Sequence, residues 1–115
     1  MSALFRIRVL ATSGTRIWCA AAGRLTVRTS RALHDELTDR CAGASVVVLD
    51  LREIQLPADG DLLAPPWPDG PRAVHLLAPT SLRGRTAVDV RVHWHADVDT
   101  AWSAWCAPPA AQPGK

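Results

Sequence analysis

Phe5, Ile7 and Val9 alternate with Arg6 and Arg8, the period of two that places one face of a strand on a core and the other in water. Thr12-Ser13-Gly14-Thr15 follows as turn chemistry, and Arg16 to Ala22 resumes an extended, mostly apolar stretch that Gly23 is expected to end. The opening segment therefore predicts an antiparallel hairpin. From Thr26 to Arg40 the period changes. Leu33, Leu37 and Cys41 recur at i, i+4 and i+8, while Arg31, His34, Asp35, Glu36 and Asp39 lie mostly on the other faces, which predicts an amphipathic helix. Thr26 or Thr29 supplies its N-cap, and Gly43 stands where a left-handed residue terminates it.

Ser45 to Leu51 is a continuous β-branched and aliphatic run, the pattern of a central strand covered on both faces. With a helix intervening, it is expected to start a parallel pairing. Ile54 and Leu56 then lead into Pro57-Ala58-Asp59-Gly60 and Pro65-Pro66-Trp67-Pro68-Asp69-Gly70-Pro71, breakers that leave room for at most one helical turn. Ala73 to Ala78 predicts a buried strand, and Val88, Val90 and Val92, alternating with Asp89, Arg91 and His93, a more exposed one. Asp97 caps a final helix with Asp99 in its first turn, and Val98, Ala101, Trp102 and Trp105 are expected to face the core. The fold class is α/β: one domain over residues 1–106, with about five mixed strands and helices mainly on one side. Residues 107–115 form a Pro/Ala tail with no core-forming residues and are expected to be disordered.

Bulk properties narrow the class. A chain of 115 residues is the size of a single core, and 48% hydrophobic with 21% charged residues is ordinary for a globular protein. The longest apolar runs, such as Val46-Val47-Val48-Leu49, fall far short of the roughly 20 residues that span a bilayer. The start, Met1 to Arg8, lacks a basic cap followed by an unbroken apolar stretch, so no secretory signal is expected. Three widely spaced cysteines without a C-x-x-C pair fit a reducing compartment, and the expected location is the cytoplasm. A net charge of +2, dispersed along the chain, with Arg24, Arg28 and Arg31 as its nearest cluster, points away from nucleic acid.

Candidate chemistry is sparse. His93 and His95 lie two apart on a predicted strand and share a face, with His75 on a possible neighbour. Such imidazoles suit zinc or another borderline metal, although no carboxylate or thiolate pair at ligand spacing accompanies them, and edge-strand histidines are the simpler reading. Cys19, Cys41 and Cys106 read as small apolar residues. No nucleophile elbow, phosphate-binding glycine loop or paired-acid motif occurs, so neither an enzyme nor a cofactor is expected. Trp67, between Pro66 and Pro68, is either a lid over the sheet or a rigid aromatic anchor for a partner. Trp102 and Trp105 read as core packing or as a homodimer surface.

Taken in order, Gly23-Arg24-Leu25, Leu33-His34-Asp35-Glu36-Leu37, Val46-Val47-Val48-Leu49-Asp50-Leu51, Ala73-Val74-His75-Leu76-Leu77-Ala78-Pro79 and Val98-Asp99-Thr100-Ala101-Trp102 resemble the STAS family across residues 4 to 105. These are the sulfate-transporter and bacterial anti-sigma-factor-antagonist domains. In that family an Asp-Ser-Ser-Gly-like motif follows the buried strand, and its second serine is phosphorylated by an anti-sigma kinase. The aligned residues here are Pro57, Ala58, Asp59 and Gly60, so only the glycine is kept and Asp59 takes the phosphoacceptor's place.

The family's phosphorylation switch cannot operate at that position. Asp59 carries one negative charge where a phosphoserine carries roughly 1.5 to 2, and it either mimics the modified state or caps a short turn. Thr80 and Ser81 are the hydroxyls left to consider as an alternative phosphosite. The resemblance implies a non-catalytic, protein-binding regulatory module whose partner is an anti-sigma factor of serine-kinase character, with Asp59, Gly60, Asp61 and Trp67 at the contact. Loss of the serine favours a second expectation, an accessory or scaffold subunit of a biosynthetic enzyme. A third is a small metal- or ligand-binding enzyme using His75, His93 and His95.

Overall fold

The computed structural model describes residues 5–56 and 63–106. The alternating opening forms β1 (Phe5–Ser13) and β2 (Arg16–Arg24), an antiparallel hairpin turning at Gly14, whose φ of 60° lies in the left-handed region that glycine enters without steric cost. The register shifts between Val9 and Ala11, leaving Leu10 in a bulge. β2 runs through Gly23 to Arg24, so this glycine pairs with Phe5 within the ladder and does not end the strand as expected.

Helix α1 (Val27–Arg40) begins where the threonines predicted. Thr26 Oγ1 accepts the Thr29 amide at 3.1 Å and Thr29 Oγ1 accepts the Thr26 amide at 2.7 Å, a capping box built from two threonines. Leu33 and Leu37 are fully buried, Cys41 is the C-cap, and Gly43 carries φ 85°. The chain continues through β3 (Val46–Gln55), β4 (Ala73–Leu77), a short α2 (Thr80–Arg83), β5 (Val92–His95) and α3 (Val98–Cys106). The sheet order is β1-β2-β3-β4-β5, and every pair beyond the hairpin is parallel.

Period-two geometry sends neighbouring β3 residues to opposite layers. Val47, Leu49 and Leu51 join Leu33 and Leu37 of α1, Leu82 of α2, and Leu63 and Trp67 of the connecting loop. Val48 joins Trp18, Leu77, Ala101 and Trp105 on the other face, under α3. The architecture is thus α/β, a five-stranded mixed sheet with α1 and α2 on one side and α3 on the other. Among the described residues no helix is long and apolar enough to cross a membrane.

Two predicted patterns are met only in part. Val88 and Val90 belong to no strand and are 97% and 92% exposed, because Asp89 between them turns inward to bond Trp67 and Arg91. In α3 only Ala101 and Trp105 are buried. Val98 and Trp102 stay partly in solvent, and Trp102 caps the outer edge of Trp18 with ring centroids 5.5 Å apart. The tail at 107–115 lies outside the described residues.

Candidate functional site

The segment from Leu63 to β4 packs Leu63 and Trp67 against the α1 side of the sheet and is tied down by several hydrogen bonds. Trp67 is 1% exposed. Its indole packs edge-on against Trp94 of β5 (centroids 5.9 Å apart, planes at 88°), and its Nε1–H donates to Asp89 Oδ2 at 2.9 Å. His34 of α1 donates from Nδ1 to the Trp67 carbonyl oxygen at 2.7 Å, and its Nε2 lies 3.2 Å from Asp69 Oδ2. The Asp69 amide donates to Thr38 Oγ1 at 3.1 Å.

Arg91 supplies the second set of ties. It grips Asp89 through Nη2 (2.8 Å) and Nε (3.2 Å), and its Nη1 donates to the carbonyls of Pro71 (3.0 Å) and Pro68 (3.4 Å). Prolines lack amide protons, so a guanidinium fork that satisfies their carbonyls is what holds such a segment in place. The Arg91 bonds, reinforced by the Trp67 indole, hold the Asp89 carboxyl well below the usual carboxylate range. Above these ties lies a groove of about 490 Å³ lined by Arg31, His34 and Asp35 of α1 and by Ala64, Pro65 and Asp69 of the loop.

Of the residues expected at a partner contact, Asp59, Gly60 and Asp61 fall outside the described residues. Trp67 is described and is a lid: its indole is core, and what faces outward around it is the groove rim. Thr80 and Ser81 sit exposed in the single turn of α2.

The parallel register sets His75 of β4 directly opposite His93 of β5, with His95 one pleat further on. His75 and His93 stack (centroids 4.9 Å, 23° between planes), and His75 Nδ1 lies 2.9 Å from His95 Nε2. The proton order in this chain follows from its far end. The Thr100 hydroxyl donates to the Asp97 carbonyl at 3.2 Å, so its oxygen accepts from His95 Nδ1–H at 3.0 Å. That leaves His95 Nε2 as the acceptor for His75 Nδ1–H. Burial and the neighbouring imidazoles push His75 down to about 4, and burial with His93 lowers His95 against the opposing pull of Asp97. His75 is therefore neutral at pH 7. Among the described residues no three histidine, cysteine or acidic side chains stand ready as a metal-ligand set.

Two further features had weak sequence signals. On the α3 side, no element among the described residues covers the sheet corner beyond α3, and a groove of about 680 Å³ runs there between Arg6, Arg8, Leu10, Ala20, Ala22, Asp50 and Arg52. The run Ala20-Ala21-Ala22 was the available signal, since small residues in a strand build little for a covering element to pack on. Asp50 is gripped by Arg52 at 2.8 and 3.0 Å, and although burial pushes its carboxyl up, those bonds bring it below the usual range. In the core, Cys19 and Cys41 share a thiol hydrogen bond that lowers Cys19 and, with burial, raises Cys41. Compared with known proteins, the chain matches no family model, no curated protein and no solved structure.

Proposed function

We propose that the chain is a non-catalytic, protein-binding regulatory module of the anti-sigma-factor-antagonist type, cytoplasmic and working without a phosphoacceptor serine after β3. The observation that supports this most is the fastening of the 63–72 loop by Trp67, His34, Thr38 and Arg91. A surface whose backbone is already held loses less conformational freedom on docking, so more of its contact energy appears as affinity. Its rim sets charges from Arg31, Asp35 and Asp69 around Ala64 and Pro65, a polar border about a small apolar centre. The partner class is an anti-sigma factor of serine-kinase character, with Asp59 and Asp61 beside the rim in sequence.

Affinity capture from native cells with mass spectrometry tests this, using a rim variant because Trp67 is core. Recovery of a serine-kinase-like anti-sigma factor by the parent, and its loss in Arg31→Glu/Asp69→Arg, supports the reading. Recovery of no such kinase overturns it.

A second reading, an accessory or scaffold subunit of a biosynthetic enzyme, is favoured by the groove at Arg6, Arg8 and Arg52 on the opposite face. A module with separated surfaces can bridge two components. Under this reading a metabolic enzyme is recovered, and Arg6→Glu/Arg8→Glu releases it while the rim variant does not.

A further inference from the structure

β1 is an edge of the sheet: it pairs with β2 on one side, and no strand among the described residues pairs with it on the other. An unpaired edge carries a row of backbone donors and acceptors that another extended chain can complete. Ahead of the bulge at Leu10, Phe5 to Val9 pairs residue for residue with Gly23 back to Cys19, so this half of the edge is a regular template. Its two faces differ. Phe5 and Ile7 pack against the α1-side core, with Val9 next in the alternation and 45% exposed, while Arg6 and Arg8 stand exposed on the other face.

On that face Arg6 and Arg8 line the groove of about 680 Å³, over Ala22 and Ala20, their register partners on β2. Alanine side chains leave the space above the strand open. The groove's two carboxylates are directed to a different arginine: Asp50 is gripped by Arg52 at 2.8 and 3.0 Å, and Glu53 also acts on Arg52. Arg6 and Arg8 form no ion pair among the described residues, and Arg8 is the least of the influences on Asp50. Side chains two positions apart on a strand repeat at about 6–7 Å, so a strand laid beside β1 presents its own alternate side chains at the spacing of these two cations.

We infer that the outer edge of β1 takes up an extended acidic segment of a partner protein as an added strand, with carboxylates at alternate positions against Arg6 and Arg8 and apolar side chains between them beside Phe5, Ile7 and Val9. Opposite charges facing each other on adjacent strands stabilise the pairing, and like charges oppose it. A second copy of this chain laid on the same edge sets arginine against arginine. The charge that disfavours self-pairing therefore selects an acidic partner. Leu10, 51% exposed and lining the same groove, adds an apolar contact at the end of the template. This deepens the second reading above and rests on it only for the groove they share; a purified peptide tests it with no enzyme present, so the two fail separately.

The probe is a short blocked peptide alternating glutamate with valine, titrated into the full nitrogen-15-labelled chain and followed by amide NMR. Saturable one-to-one binding is expected, with shifts centred on Phe5 to Val9 and slower hydrogen exchange at outward-facing β1 amides, while the Trp67 and Asp69 amides stay in place. Arg6→Glu/Arg8→Glu should weaken binding about tenfold or more and should take the matching lysine–valine peptide instead, which also shows that the variant folds. A peptide of the same composition with its glutamates and valines in separate blocks should bind about tenfold or more weakly, because it cannot match both faces. No saturable binding, equal affinity for the block peptide, unchanged affinity in the charge-reversed variant, or the same amide shifts from inorganic phosphate would each overturn the inference.

Discussion

The Trp67 indole donates to the Asp89 carboxylate across 2.9 Å, joining residues 22 positions apart in the loops that lead into β4 and β5. Asp89 is held from its other side by Arg91, and Arg91 reaches back to the carbonyls of Pro68 and Pro71. The two loops are one unit.

Trp67→Phe keeps most of the buried ring and removes the donor, and is expected to cost about 1.5–3 kcal/mol, the range for hydrogen bonds to charged groups. Trp67→Ala adds a cavity beside Trp94 and is expected to cost about 3–5 kcal/mol. Urea denaturation measures both; equal stability of parent and Trp67→Ala would remove the loop from the core.

Acid should act in two stages. His75 sits near 4 in the folded protein against an ordinary 6.5, so between these values the unfolded chain takes up a proton that the folded one refuses. Stability present above about pH 6.5 is lost as pH falls, with a slope of up to about 1.4 kcal/mol per unit for this group. His95 adds in the same direction. Asp89 acts lower. Its depressed carboxyl contributes stability above the ordinary 3.8 that is lost as pH falls through the folded value. Denaturation midpoints measured from pH 7.5 to 3 should fall in both ranges, and His75→Phe should flatten the upper one alone.

Thiol labelling should separate the three cysteines. Cys106 is exposed, while Cys19 and Cys41 are free thiols only 0% and 1% exposed. One thiol per chain is expected to react promptly with an aromatic disulfide reagent, the other two only at the rate of unfolding. Prompt reaction of all three would mean that the α1–β2 contact opens readily.

Gly43 has φ 85° with open space where a Cβ would go, so Gly43→Ala meets only the backbone penalty. The expected loss is about 1 kcal/mol by thermal or urea melting. Val88→Ser/Val90→Ser should change stability by no more than about 0.5 kcal/mol, because both side chains already stand in solvent.

The local elements were legible because their signals are local. The Thr26–Thr29 cap, the turn at Gly14 and the Leu33/Leu37 face each need only neighbours along the chain. The valines of 88–92 misled for the complementary reason: alternation records which residues are apolar, and it carries no trace of a buried indole elsewhere that needs an acceptor. Trp67 between prolines read as a lid or as an anchor, and its 1% exposure follows from α1 and β5 enclosing it from both sides.

The α/β class, the order of the first three strands and of the two longer helices, and the placing of His93 and His95 on one face were readable from short stretches, since periodicity and capping are properties of short stretches. Long-range contacts set that Asp89 faces inward, that Arg91 clamps the proline loop, that a groove opens at Ala20 and Ala22 and that His75 meets His95. Each of those contacts joins residues far apart in the chain, and each is set by strand register and crossover direction, which become definite only when the whole sheet closes on its core.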